Sequence, residues 1–151
     1  MPQFHSSFHV AAPVERVSAF HFSADAFLRL TPPGMILRLH RSEPLAEGSI
    51  TEFTLWSGPV PMRWKAHHSE ISTSGFTDEQ LAGPLRSWRH RHQFLARPDG
   101  TCDVFDTIDY EHPQGWRGVF SRLRFNPATL RLLFLFRARA TRRACQAKNR
   151  S

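Results

Sequence analysis

The chain has 151 residues, 40% of them hydrophobic and 22% charged, which is long enough to bury a core and too apolar for a disordered segment. Thirteen Phe and four Trp against a single Tyr supply large apolar area with few polar handles, so rings either fill the core or line a cavity. A net charge of +7 favours an anionic partner, and the start of the chain, Met1-Pro2-Gln3-Phe4-His5, has neither the basic nor the apolar region of a signal peptide; a single cytoplasmic domain, 1–151, without a membrane span is expected.

In chain order, Gln3 to Val10 alternates and reads as a strand. Ala12-Pro13-Val14-Glu15 opens a helix with an apolar face of Val14, Val17, Ala19, Phe20 and Phe22. Ser23 caps a second short helix over 24–30, which Thr31-Pro32-Pro33-Gly34 ends. Strands then follow over 35–40, 48–56, 62–72, 76–82, 86–96 and 101–111, separated by turn signals at Ser57-Gly58-Pro59, Thr73-Ser74-Gly75, Gly83-Pro84 and Pro98-Asp99-Gly100, the spacing of an antiparallel meander. Residues 112–125 read as a loop with a short helical piece. Asn126-Pro127 caps a long helix to about Ala147, with Leu130, Leu133, Phe134 and Ala138 on one face. Leu132, Leu135 and Phe136 are expected to widen that face. The last turns are basic, with Arg137, Arg139, Arg142, Arg143 and Lys148. Cys102 and Cys145 have no metal-ligand spacing and read as reduced structural thiols.

Alternation assigns the faces. On 86–96 the inward set is Trp88, His90, His92 and Phe94; on 101–111 it is Val104, Asp106, Ile108 and Tyr110; on 76–82 it is Phe76, Asp78, Gln80 and Ala82. Folding about Pro98-Asp99-Gly100 sets Phe94 against Val104, His92 against Asp106, His90 against Ile108 and Trp88 against Tyr110. Folding about Gly83-Pro84 sets Gln80 near Trp88, Asp78 near His90 and Phe76 near His92. The inner face therefore carries a polar cluster of Asp78, His90, His92 and Asp106 among rings, in which two carboxylates find partners in two imidazoles.

The segment Gly75-Phe76-Thr77-Asp78-Glu79-Gln80-Leu81-Ala82-Gly83-Pro84 with Trp88-Arg89-His90-Arg91-His92-Gln93-Phe94 resembles the START-like (SRPBCC, polyketide cyclase/dehydrase-related) superfamily. Ala12 to Val17 and Thr101 to Pro113 carry the same resemblance, which covers nearly the whole chain. It implies an α+β helix-grip fold, a curved seven-stranded antiparallel sheet around a long C-terminal helix with two short helices after the first strand. It also implies a cavity for a small hydrophobic ligand such as a lipid, quinone, polyketide or hormone. The superfamily shares no catalytic motif, and the fold does not name a function.

The expected ligand-binding wall is Trp64, Phe76, Trp88, Phe94, Ile108, Tyr110, Leu133 and Phe134, with the polar end of the ligand at His90, His92, Asp78 or Asp106. The same four polar residues are the catalytic candidates for a cyclase or dehydratase, since a His beside a carboxylate can work as acid or base. With His68 they also have the residue types of a metal site; the plainer reading is a hydrogen-bonded cluster, and no metal or cofactor is expected. A third class, an interaction module, stays open: the basic end of the last helix could meet an anionic lipid surface. Nucleic acid is not expected, because no groove-reading motif is present and the sheet rings face inward.

Overall fold

The computed structural model describes residues 2–146. The chain runs β1 (Gln3–Val10), α1 (Val14–Phe22), α2 (Ala26–Arg29), β2 (Met35–Ser42), β3 (Ile50–Ser57), β4 (Val60–Ser72), β5 (Gly75–Ala82), β6 (Ser87–Ala96), β7 (Cys102–Glu111), α3 (Trp116–Arg124) and α4 (Pro127–Gln146). The strands form one antiparallel sheet in the order β1-β7-β6-β5-β4-β3-β2, so every pair but β1–β7 joins sequence neighbours. It is a curved sheet with a long C-terminal helix, the α+β helix-grip arrangement. Register shifts between Leu39 and Arg41 in β2, and at 65–66 and 69–72 in β4, bend the strands; Glu70 adopts a positive φ of 54° at the second shift in β4.

Alternation holds along β7, where Cys102, Val104, Asp106, Ile108 and Tyr110 are all buried, and along β6, where His90, His92 and Phe94 are buried and Arg91 and Gln93 exposed. The four β6–β7 pairs expected from the turn are the observed register, as are Asp78 opposite His90 and Phe76 opposite His92. Gly75, at the head of β5 with φ 150°, sits so close to the opposite strand that a Cβ there would lie 2.0 Å from the carbonyl oxygen of His92. Gly75→Ala must push the two strands apart beside His92; a loss of about 1–3 kcal/mol or more in urea denaturation is the expected result.

Helix α4 lies against β1 and α1. Asn126 caps it as expected, its Oδ1 accepting from the Thr129 amide at 3.0 Å. Ser23 does not cap α2: it closes α1, its hydroxyl donating to the Phe20 carbonyl. The buried stripe of α4 is Leu130, Phe134, Ala138, Thr141, Ala144 and Cys145. Leu132 and Leu135 do not widen it. They are 68% and 62% exposed, because residues two and five positions from Leu130 point about 200° and about 140° away around the helix. Lys148 and the expected helix end at Ala147 lie outside the described residues. Cys102 and Cys145 are buried and form no disulfide.

The core has two halves. Phe76 and Phe94 pack with Val10, Val17, Val104 and Cys145 at the α1 end. Trp64, Ile108, Tyr110, Leu130 and Phe134 pack at the other end, with Trp88, Phe125 and Leu133 half-buried against them.

Candidate functional site

The polar cluster lies between these two halves. His92 stacks on Phe76 with ring centroids 4.2 Å apart, and His90 meets the edge of Phe134 at 5.4 Å. His90, His92 and Asp106 are 4–6% exposed, while the Asp78 side chain keeps 24% of its surface. Strand alternation points all of them inward, and the β5–β6–β7 register brings them side by side.

The bonds run as a chain of alternating imidazoles and carboxylates. The Thr51 hydroxyl lies 2.9 Å from His68 Nε2, and His68 Nδ1 donates to Asp78 Oδ1. The other oxygen of Asp78 accepts from His92 Nε2 at 2.9 Å. His92 Nδ1 is 3.3 Å from Asp106 Oδ1, which also accepts from His90 Nε2 at 2.8 Å. Both ring nitrogens of His92 therefore face carboxylate oxygens, an arrangement that favours the doubly protonated ring, an imidazolium.

The charge states follow from this geometry. Burial alone would lower the His92 pKa, but hydrogen bonds to Asp106 and Asp78 outweigh it and raise it to about 9. Burial would raise the pKa of both carboxylates; bonds from His68 and His92 hold Asp78, and bonds from His90 and His92 hold Asp106, well below the usual range. His90 is pushed down to about 4 by burial and by the neighbouring His92 charge, against the pull of Asp106. The two adjacent imidazoles, with centroids 3.7 Å apart, thus sit in opposite protonation states at neutral pH.

Two further residues join the cluster. His21, one turn after Val17 on the buried face of α1, bonds through Nδ1 to the Val17 carbonyl at 2.9 Å and lies 6.4 Å from His92, ring to ring. Burial lowers its pKa to about 4. Arg137, read from sequence as part of a solvated basic helix end, instead turns toward the cluster. Its guanidinium carbon is 5.4 Å from the centre of the Phe134 ring, and its Nε is buried without a hydrogen-bond partner. Burial lowers its pKa while Asp106 and Asp78 pull the other way. The signal was in the spacing: 137 follows Phe134 by three and Leu130 by seven, on the buried stripe. Arg142 is also engaged, over the Phe8 ring and donating through Nε to the His9 carbonyl at 2.9 Å.

The wall residues fall into the two core halves rather than around one space. Phe76 and Phe94 belong to the α1 half. Trp64 packs edge-on to Trp88 at 5.5 Å, both meet Phe125 at 6.0 and 5.8 Å, and Trp88 meets Tyr110 at 6.2 Å, with Ile108, Leu133 and Phe134 beneath. Phe125, which no pattern in the sequence singles out, links the two tryptophans. Two open hollows of about 160 and 190 Å³ run along the β1–β7 pair and include none of these rings.

Asp78, His90 and His92 bring one donor atom each within 4.8 Å of one another, a spacing that could hold a metal ion. Those atoms already bond within the cluster, and a metal on His92 would have to displace one of its two protons.

The sequence matches no protein-family model and no curated protein sequence. Its structure is similar to solved structures. The Zhui aromatase/cyclase from Streptomyces sp. R1128 superposes with a TM-score of 0.75 at 12% identity, over 99% of this chain and 96% of that one. Norcoclaurine synthase from Thalictrum flavum gives 0.70 at 12% identity, over 99% and 96%. A nucleoside-diphosphate sugar epimerase from Corynebacterium glutamicum gives 0.68 at 27% identity, over 92% of this chain but only 28% of that longer one. No helix among the described residues is long and apolar enough to cross a membrane. Sheet order, helix placement and these superpositions together establish that this chain has a helix-grip fold, the fold that the START-like resemblance implies.

Proposed function

We propose that the protein binds a small, mainly apolar molecule between the sheet and α4, with the molecule's polar end at the buried His–Asp chain. The observation that carries this reading is the junction of two unlike surfaces. A hydrogen-bonded run of His68, Asp78, His92, Asp106 and His90 abuts the Trp64–Trp88–Phe125 rings, whose outer members are half-buried. The rings touch one another, so a ligand enters by separating Trp88, Phe125 and Leu133, the members with solvent on one side. The Arg137 guanidinium, with an unbonded Nε, would favour a polar end that accepts hydrogen bonds. An anionic surface at the basic end of α4 belongs to the same proposal; Arg139 and Arg143 are the exposed cations there.

Native mass spectrometry of freshly purified protein, followed by solvent extraction, tests the reading. A co-purified apolar species supports it, and Trp88→Ala is then expected to weaken binding of that species at least about tenfold. A clean mass, with no change in tryptophan fluorescence on titration with fatty acids, quinones and aromatic polyketides, overturns it.

One observation favours a second reading, a cyclase or dehydratase. His92 and His90 are adjacent and hold pKa values near 9 and near 4, the separation that lets one act as acid and the other as base at neutral pH. The aromatase/cyclase named above has the same fold. In this reading His92→Gln keeps ligand affinity and abolishes turnover of the extracted compound, whereas equal turnover in variant and wild type excludes it.

A further inference from the structure

Helix α3 presents its apolar side to water. Its two buried residues are Gly118 and Ser121: a Cβ at Gly118 would lie 2.0 Å from the Pro113 carbonyl oxygen, and the Ser121 hydroxyl is 2.6 Å from His112 Nδ1. At 100° per residue, Trp116, Val119 and Leu123 fall on the opposite side of the helix. They are 79%, 60% and 70% exposed. Arg117 and Arg124 lie along one flank of this ridge and Arg122 along the other, and the helix contains no acidic residue. The Arg117 guanidinium carbon is 5.9 Å from the centre of the Trp116 ring.

A contiguous apolar ridge facing solvent marks an interaction site. Here the ridge is bordered by arginine on both sides, with a tryptophan at one end, in a chain of net charge +7. Apolar residues on one side with cations along the borders are the pattern of a helix lying in a bilayer interface, where the ridge enters the acyl boundary and the guanidinium groups meet lipid phosphates. The geometry points to α3 as a docking element for an anionic lipid bilayer, seated with Trp116, Val119 and Leu123 in the interface. The charge decides against a protein partner of ordinary composition, because the helix carries no acid and its exposed arginines, Arg117 and Arg122, with the half-buried Arg124, match a negative surface. Phe125, directly after α3, packs on Trp64 and Trp88, so docking brings the half-buried ring cluster to the membrane. The inference does not depend on ligand binding inside the grip.

Vesicle co-sedimentation tests it. The wild-type chain is expected to pellet with vesicles of phosphatidylcholine plus phosphatidylglycerol, much less with phosphatidylcholine alone, and less as salt rises toward about 1 M, where charge attraction is screened within a few ångströms. The double variant Trp116→Ser, Leu123→Ser is expected to lose at least about tenfold in vesicle affinity. Leu95→Ser, at a leucine on the sheet that is 52% exposed, should bind like wild type. Melting curves within a few degrees of wild type exclude unfolding as the cause. Trp116→Phe keeps the ridge, and should still pellet while losing the fluorescence quenched by brominated lipid. Failure of folded wild-type protein to bind anionic vesicles overturns the inference, as does equal binding by the double variant. It is likewise overturned if the wild type is a dimer that does not bind vesicles and the double variant is a monomer, which would assign the ridge to a second copy of the chain. Loss of interior ligand binding leaves every one of these outcomes in place.

Discussion

His92→Ala is expected to lower stability by about 3–5 kcal/mol, the cost of removing one partner from a buried ion pair. The variant leaves the Asp78 and Asp106 carboxylates facing each other across the vacated ring, with Asp106 only 5% exposed. His68 and His90 still bond to them, but His90 is held neutral and supplies no compensating charge. Removing His90 instead takes away one neutral donor to Asp106 and leaves the imidazolium in place. His90→Ala is therefore expected to cost less than His92→Ala, although both rings are buried and of equal size. Urea denaturation at pH 7 measures both. Equal losses, or a loss below about 1 kcal/mol for His92→Ala, would show that His92 is not the cation that bridges the two carboxylates.

Stability is expected to peak near about pH 6.5, the ordinary pKa of histidine, and to fall on both sides for different reasons. His92 is held at about 9, above its unfolded value. Between those pH values the folded chain keeps a proton that the unfolded chain has lost, so stability drops as pH rises, by up to one proton's slope, about 1.4 kcal/mol per pH unit. His90 and His21 are held at about 4, below their unfolded value. As pH falls from 6.5 toward 4 the unfolded chain takes up two protons that the folded chain refuses, and stability drops with up to twice that slope. Asp78 and Asp106 contribute above the ordinary carboxylate range and lose their contribution as pH falls through and below it, which steepens the acid side further. Urea midpoints measured from pH 4 to 10 should trace this dome, and His92→Gln should flatten its alkaline side and, by removing the charge that helps hold His90, His21 and both carboxylates down, also soften its acid side. A wild-type profile that is level from pH 6.5 to 9 contradicts the protonated state assigned to His92.

The registers of β5, β6 and β7 were legible because a two-residue period and a tight turn leave little freedom: once Pro98-Asp99-Gly100 is the turn, His92 must oppose Asp106. Register did not reveal the bonds. Asp78 opposes His90, yet its carboxylate bonds on the diagonal to His92 and across to His68, while His90 bonds diagonally to Asp106. Long side chains reach diagonal neighbours about as easily as direct ones, and charge decides among them. Helices were harder to read. The run from Leu132 to Phe136 is apolar all round, so its composition does not say which third is covered, and Leu132 and Leu135 face out while Arg137 faces in. Residues 112–125 read as a loop with only a short helical piece because Pro113, Gly115 and Gly118 are turn residues, whereas helix covers Trp116–Arg124. Gly118 is in fact the contact that lets α3 lie down on the Pro113 backbone.

The sheet order gives the chain an unequal route to its final shape. The strands from β2 to β7 pair only with sequence neighbours and can zip hairpin by hairpin, whereas β1 must find β7 across the whole meander, Gln3 to Asp109 and Val10 to Cys102. That closure is the non-local step, and its entropic cost falls on one strand. The last turns of α4 fasten the same strand: Arg142 donates to His9, and the Gln146 side chain accepts from the Ala11 amide. During synthesis β1 is made first and waits longest, and the closing clasp is assembled from it and the helix made after every strand. Until that helix arrives, the His–Asp chain carried by β4 to β7 stands open to water on the inner face of the sheet, and it is buried only as the two distant segments lock together.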